Sequence, residues 1–409
     1  MSRPDDVRDF YERTPYPGPV ASLDQERTRY ATPERRRAHF HLTWPAEPLR
    51  ENLEILVAGC GTSQAARYVL RAPGARVRAI DISETSLRHT RDLQLKYDLR
   101  NLELHQVSIE TIQELGRSFD LIVCIGVLHH LPDPDLGLRA LREVLRPQGA
   151  MRLMVYAQYG RAGIYMMQGY CRLLGISATE DDLRTLGAML AALPADQPIA
   201  SVLRKAKDLR RPEAMADALL HPQDRAYTVP ELYAWLDRCG MSFGRWIEQA
   251  PYLAQYGTIA RSPHAARLAS LHSREQHAAV ELFRGTMATH SFTAYRDDRA
   301  AQSQPIAFTG DDWRGNVPIA LPWTVCVRER LPPGAVAVQI NRAHTFTDLI
   351  CAVDAFEDRL LGAIDGKRTL AEIVQPEAKN DERRALEFFE RLWRYDQIVF
   401  DASHASRNS

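Results

Sequence analysis

Two glycines and an aspartate are the residues of this chain best placed to hold a ligand. Gly59 and Gly61 flank Cys60 at the end of the apolar run Ile55-Leu56-Val57-Ala58, and Thr62-Ser63-Gln64 follows. An apolar strand ending in Gly-x-Gly under a helix start is how a buried parallel strand offers its backbone to a nucleotide. A Cβ at either glycine would hold the ligand away from the chain. Asp81 closes the next apolar run, Val77-Arg78-Ala79-Ile80, where an acid is suited to the two hydroxyls of a ribose. A dinucleotide wants a third glycine at the sixth position for its pyrophosphate. Gln64 stands there. A nucleoside cofactor without phosphate needs only the first two glycines.

Proton-handling candidates lie further on. His129 and His130 follow the apolar run Phe119–Ile125, and Tyr156 and Tyr159 follow a second run ending at Val155. Each is a candidate base or substrate contact. Tyr11 and Tyr16 sit beside three prolines, Pro15, Pro17 and Pro19, which fix an extended path rather than a helix. They are read as part of a strap over the domain or a lid touching cofactor or substrate. Cys60 and Cys124 are expected to pack, not to act as nucleophiles. His39 and His41 are two apart, which does not place them on one helix face, so no metal site is expected there. Arg35-Arg36-Arg37 is expected to be a solvated helix face.

These residues need a frame, and the pattern supplies one. Apolar runs at 54–58, 76–80, 102–106, 119–124 and 150–155 read as strands. Helical periods at 63–70, 84–97, 110–115 and 135–145 separate them. Such alternation predicts a parallel sheet covered on both faces. Ser83 is a good N-cap for the helix at 84–97. Residues 157–225 read as an inserted helical cover with helices at 162–174, 180–193 and 199–207. Thr228 and Glu231 form a capping box. Runs 243–247 and 286–295 are expected to complete the sheet. Residues 298–330 read as a loop-rich linker. Beyond it, helices at 356–364, from Thr369 and at 381–395, with a closing strand at 398–400, make a small α+β unit.

Composition narrows the class. The 409 residues are 45% hydrophobic and 25% charged, ordinary for a globular protein of two or three domains. Fifty-two basic residues balance 52 acidic ones, which argues against nucleic acid as a partner. The six cysteines show no Cys-x-x-Cys spacing, so neither a disulfide framework nor a zinc site is expected, and a cytoplasmic location is. No apolar run approaches the roughly 18 residues that span a bilayer, and the N-terminus does not read as a signal peptide.

Five motifs in order resemble the class I S-adenosylmethionine-dependent methyltransferases. They are Ile55 to Gln64, Asp81, Phe119 to Cys124, Gly126-Val127-Leu128-His129-His130-Leu131-Pro132-Asp133-Pro134, and Leu145 to Gly149. The resemblance is close over 50–156 and weaker to 297. It departs from the family at Val57, where an acid often stands, at Ser63, where the third glycine would be, and at Ser108, in place of an adenine-binding aspartate. The C-terminal unit, through Leu361 to Val374, loosely resembles the winged-helix-like domain of the pyrroloquinoline quinone peptide chaperone, which implies peptide or protein binding.

The resemblance implies a Rossmann-like, doubly wound α/β fold with seven mostly parallel strands and a helical insertion, plus a small winged-helix-like domain. The organisation expected is a strap at 1–50, a methyltransferase domain at 51–297 with its cover at 157–225, a linker at 298–330 and the C-terminal unit at 331–409. S-adenosylmethionine is the cofactor implied. Ala58, Gly59, Cys60, Gly61 and Gln64 would meet its methionine part. Asp81, Ile82 and Ser83 would meet the ribose, Ile82 and Ile109 would sandwich the adenine, and Ser108 would meet its edge. Cys124 and Ile125 would lie beside the sulfonium. His129, His130 and Tyr156 are the catalytic candidates. The acceptor expected is a small molecule, with a protein recruited by the C-terminal unit, or a silent cofactor-binding protein, as alternatives.

Overall fold

The computed structural model describes residues 4–298, 306–308, 310–377 and 381–403. Seven strands form one sheet: β1 (Glu54–Ala58), β2 (Arg76–Asp81), β3 (Leu102–Gln106), β4 (Phe119–Ile125), β5 (Leu145–Tyr156), β6 (Met241–Trp246) and β7 (Thr289–Arg296). Their order is β3-β2-β1-β4-β5-β7-β6. Strands β1 to β5 run parallel, and β7 pairs antiparallel with β5, Met151 opposite Ala294 and Tyr156 opposite Thr289. The central strands are apolar over most of their length because helices cover both faces; Leu56, Val57, Ile122 and Val123 are all fully buried. The order reverses between β1 and β4, so the loops after those two strands diverge and leave a crevice at their carboxyl ends.

Most expected elements form where the pattern places them, with instructive differences. The fifth strand begins at Leu145 rather than 150, and its register against β4 shifts between Phe119 and Leu121. The turn of helix expected at 110–115 is a 3-10 segment, Ile109–Leu115, capped by Ser108. The first extended segment is shorter than expected: Pro4–Arg13 is a helix, with Phe10 and Tyr11 on it. Pro15, Pro17 and Pro19 restrict only their own positions and the residues before them, whereas a proline at a helix start is tolerated. In the cover, helices Ala162–Leu174, Glu180–Ala191 and Pro198–Lys205 are joined by an unanticipated one, Pro212–Leu220. Thr228 and Glu231 close the capping box of helix Val229–Arg238.

The chain divides into two compact units, and the division departs from the expected boundaries. The first holds Met1–Leu23, Asn52–Phe243 and Glu281–Asp298; the second holds Asp24–Glu51, Gly244–Val280 and Arg299–Ser409. The segment 1–50 is therefore not one strap. Nor is 298–330 a plain linker: it carries β8 (Val317–Ala320) and β9 (Thr324–Val327). Strand β9 joins β10 (Ala337–Asn341) and β11 (Ile350–Val353) in an antiparallel sheet, and β8 pairs with β12 (Ile398–Asp401). The prolines at 318 and 322 read as loop, but Pro318 sits in a two-stranded pair where a missing N–H is tolerated. Helices Ala355–Gly362, Leu370–Glu377 and Glu382–Arg394 pack Leu360, Ile373, Phe388 and Phe389 into the second unit's core. Arg37 is not solvated as expected: its guanidinium donates to the Gly366 carbonyl (2.6 Å) and to Asp401 (2.9 Å).

Candidate active site

A cavity of about 620 Å³ opens at the carboxyl ends of the strands, within the first unit, and every residue lining it belongs to that unit. At one end Gly59 and Gly61 take positive φ, +69° and +53°. Asp81 ties the turn together: Oδ2 accepts from the Gly61 N–H at 2.8 Å and Oδ1 from the Ser83 N–H at 3.0 Å. Burial raises the Asp81 carboxyl, and these backbone donors oppose the rise. A carboxylate has about four acceptor sites, and the Ile82 N–H also acts on this one, so room for a ligand donor remains. Ile82, Ser108, Ile109 and Glu110 continue the same wall.

At the other end a polar group sits in an otherwise apolar lining. The Tyr11 hydroxyl donates to Asp217 Oδ1 (2.9 Å) and the Tyr156 hydroxyl to Oδ2 (3.3 Å). Burial pushes the Asp217 carboxyl up to about 6. Both phenols are raised well above their ordinary range, first by burial and then by the charge of Asp217. Arg161 lies 3.4 Å over the Tyr156 ring centroid and donates to Asp224 at 3.4 Å. Met154, Ile164, Val202 and Leu209 supply the apolar surface around them.

The sequence-derived residues separate into two sets. Gly59, Cys60, Gly61, Gln64, Asp81, Ile82, Ser108, Ile109, Ile125, His130 and Tyr156 line the cavity. Ala58, Ser83, Cys124 and His129 are not among its lining residues. Ala58 and Cys124 lie inside strands with no exposure. The Ser83 hydroxyl is spent on the cap of helix Glu84–Lys96, accepting from the Ser86 N–H at 3.1 Å. His129 is fully buried behind Tyr156, ring centroids 3.8 Å apart. Burial pushes His129 well below its ordinary range and His130 down to about 4, so both rings are neutral. Both cysteine thiols are raised by burial and are poor nucleophiles.

Sequence reasoning missed Asp217, Arg161 and Glu110. Asp217 had a signal: it is a lone acid within the buried run Ala214, Met215, Ala216, Ala218, Leu219. Charged residues are almost never fully buried without a reason. Glu110 stands beside Ser108, whose hydroxyl pairs with its carboxylate. An acid thus stands on the same wall two residues after Ser108. Among the described residues two sets of His and Asp also come together, His129–His130–Asp224 and His130–Asp217–His221, although no sequence spacing announces either.

The glycine end fits an adenosyl group. A Cβ at Gly59 would fall 2.4 Å from Val127, so the turn is closed to any other residue. Gln64 has a buried Oε1 without a partner on the same wall, and Asp81 has room for a ligand donor.

Comparison with known proteins agrees with this geometry. Residues 56–151 match the family model described as "Methyltransferase domain". An uncharacterized protein of Synechococcus sp. is 35% identical over 197 residues, covering 46% of this chain and 47% of that one. A protein of Albidiferax ferrireducens named ubiquinone biosynthesis O-methyltransferase is 34% identical over 98 residues, 24% of this chain and 38% of its own. The chain thus spans about half the length, or less, of these curated relatives. Among solved structures, PKMT2 from Rickettsia typhi in complex with AdoHcy superposes with a TM-score of 0.64 at 16% identity, covering 91% of this chain and 76% of that one. At that identity the likeness is one of fold.

Proposed function

We propose, from the premise that this chain carries a class I S-adenosylmethionine-dependent methyltransferase domain, that it methylates a hydroxyl group of a small molecule. The observation that carries this reading is one cavity with two chemically different ends, a nucleoside cradle and a buried carboxylate held by two tyrosines. S-adenosylmethionine, when bound, supplies a methyl group open to direct displacement. The chain's own residues then align the partners, exclude water and move a proton.

The Gly59–Gly61 backbone takes the methionine part and Asp81 the ribose. Ile82 and Ile109 flank the adenine, with Ser108 and Glu110 at its edge. At the opposite end the hydroxyls of Tyr11 and Tyr156 fix the Asp217 carboxylate, which takes the acceptor's proton as the oxygen is methylated. His130 and Tyr156 line the acceptor's side and shape it; His129 supports Tyr156 from behind. The apolar lining keeps water from competing. The name O-methyltransferase borne by relatives supports an oxygen acceptor.

Incubating the protein with a cell extract and a methyl-labelled donor tests this. Label is expected in the low-mass fraction, and Asp217→Asn is expected to abolish its transfer while still binding S-adenosylhomocysteine in calorimetry. Label confined to protein would reject the small-molecule acceptor. Undiminished turnover by Asp217→Asn would reject the proton's route.

A further inference from the structure

Behind the acceptor end lies a group of side chains with polar atoms that methyl transfer does not use. His129, His130, His221, Asp217 and Asp224 gather there, and three of them are histidines with rings in contact. The centroids of His129 and His130 are 4.2 Å apart and those of His130 and His221 3.9 Å. Neither ring nitrogen of His129 has a hydrogen-bond partner, and His130 Nε2 and Asp224 Oδ1 have none either. His129 is 0% exposed, His130 4% and the Asp224 side chain 3%. Buried polar atoms are nearly always paired, and four left unpaired on three adjacent side chains call for a ligand.

The geometry points to a metal ion: we propose that His129, His130 and Asp224 bind one divalent ion of the zinc and iron type. One ligand atom from each lies within 4.8 Å of the other two, close enough for small side-chain rotations to bring them onto a common centre. The supporting bonds are those a metal ligand needs. His130 Nδ1 is 2.7 Å from the Gln223 carbonyl, so it carries the proton there and leaves the Nε2 lone pair free. Asp224 Oδ2 is held by Gln168 (2.9 Å) and Arg161 (3.4 Å), which leaves Oδ1 for coordination. Charge favours a cation as well. Two carboxylates, Asp217 and Asp224, face one guanidinium, Arg161, in the same buried group.

The second combination, His130 with Asp217 and His221, is less available. Both Asp217 oxygens already receive tyrosine hydroxyls, and His221 Nδ1 accepts the Gln223 N–H at 3.1 Å, which leaves the proton of the neutral ring on its unpaired Nε2. Two imidazoles and one carboxylate suit zinc, iron or manganese better than magnesium or calcium, which favour oxygen alone. Three protein ligands leave a position open, and His130 is the member that also lines the cavity.

Metal content of the full chain tests the proposal. An untagged Cys326→Ser protein, which lacks the exposed thiol, is stripped with chelator, loaded with Zn²⁺, passed through gel filtration and assayed by mass spectrometry. About one zinc per chain is expected. Asp224→Asn and His129→Gln are expected to retain less than about a tenth of that while still binding S-adenosylhomocysteine, which shows they are folded. Parent protein without zinc would mean that water satisfies these atoms, and would overturn the proposal; so would full zinc in both variants. If the variants lose S-adenosylhomocysteine binding, Co²⁺ decides. A visible absorption band from the loaded parent, displaced by Zn²⁺, upholds the site, and a featureless spectrum rejects it.

Discussion

Gly59 shows how much one missing side chain decides. Its φ of +69° is expensive for any other residue, and a Cβ would meet Val127 Cγ2 at 2.4 Å. Gly59→Ala is expected to cost about 2–3 kcal/mol, from the strained backbone and the overlap together. A thermal melt would show it as a lowered midpoint, and pairing it with Val127→Ala should recover only the part due to overlap. Asp81 offers the complementary case. Asp81→Ala removes the acceptors proposed for the ribose and the tie to Gly61. Calorimetry with S-adenosylhomocysteine should find affinity reduced at least about 100-fold, the size expected for two charge-assisted hydrogen bonds. Both residues were legible in the sequence because their roles belong to one strand and the turn after it. Asp217 and Arg161 were not, because they join Tyr11 and Tyr156, which the sequence singled out, only after three separate segments fold together, and local pattern carries no record of that meeting.

At the scale of elements, the helix Pro4–Arg13 joins the two ends of the cavity. Tyr11 reaches the acceptor end, and Glu12 caps the helix that follows Asp81. The Glu12 carboxylate accepts from the Glu84 N–H (2.6 Å), the Thr85 N–H (3.2 Å) and the Thr85 hydroxyl (2.5 Å). A carboxylate at a helix N-terminus meets unpaired donors and the positive end of the dipole. Glu12→Ala is expected to cost about 1–2 kcal/mol, seen as a drop of several degrees in a melt. Tyr11→Phe keeps the helix and loses the hydroxyl. Its kcat should fall while S-adenosylhomocysteine affinity stays within about twofold; an unchanged kcat would remove Tyr11 from the acceptor's machinery. The sequence marked the prolines at 15–19 correctly as outside any helix, but it extended their influence too far back. Propensity is a weak guide where tertiary contacts such as Glu12 to Thr85 hold a short helix in place.

The whole molecule is two units woven from one chain. All the cavity's lining residues lie in the first, so removing 331–409 is expected to leave S-adenosylhomocysteine binding intact. The remaining second unit should lose structure, because β8 would have no β12. Loss of binding on truncation would show that the first unit does not stand alone. The second unit also titrates. Asp396 is fully buried and accepts from the Gln249 N–H (2.6 Å) and from Arg245 (2.9 Å), yet burial pushes it up to about 6. An unfolded aspartate titrates near 3.9. The folded state therefore holds the proton more tightly, and that contribution is complete below about pH 4 and fades as pH rises through about 6. Between about pH 5 and about pH 7.5 it amounts to about 1 kcal/mol of lost stability, and Asp396→Asn should flatten that part of the profile whatever its own plateau. Among the described residues no helix is long and apolar enough to cross a membrane. The parallel sheet was readable from strand and helix periods, whereas the order of its strands and the division into units were not: hydrophobic pattern reports neighbours in sequence, and the second unit collects three distant stretches.

That weaving sets a timetable for synthesis. Arg37 leaves the ribosome 364 residues before Asp401, the carboxylate it will grip. At roughly 5–20 residues per second the wait is roughly 20–70 s. During it, the stretch 24–51 waits for its later partners, while every residue that lines the cavity is made by Thr289. The nascent protein should therefore be able to form its ligand pocket before its second unit has all of its strands.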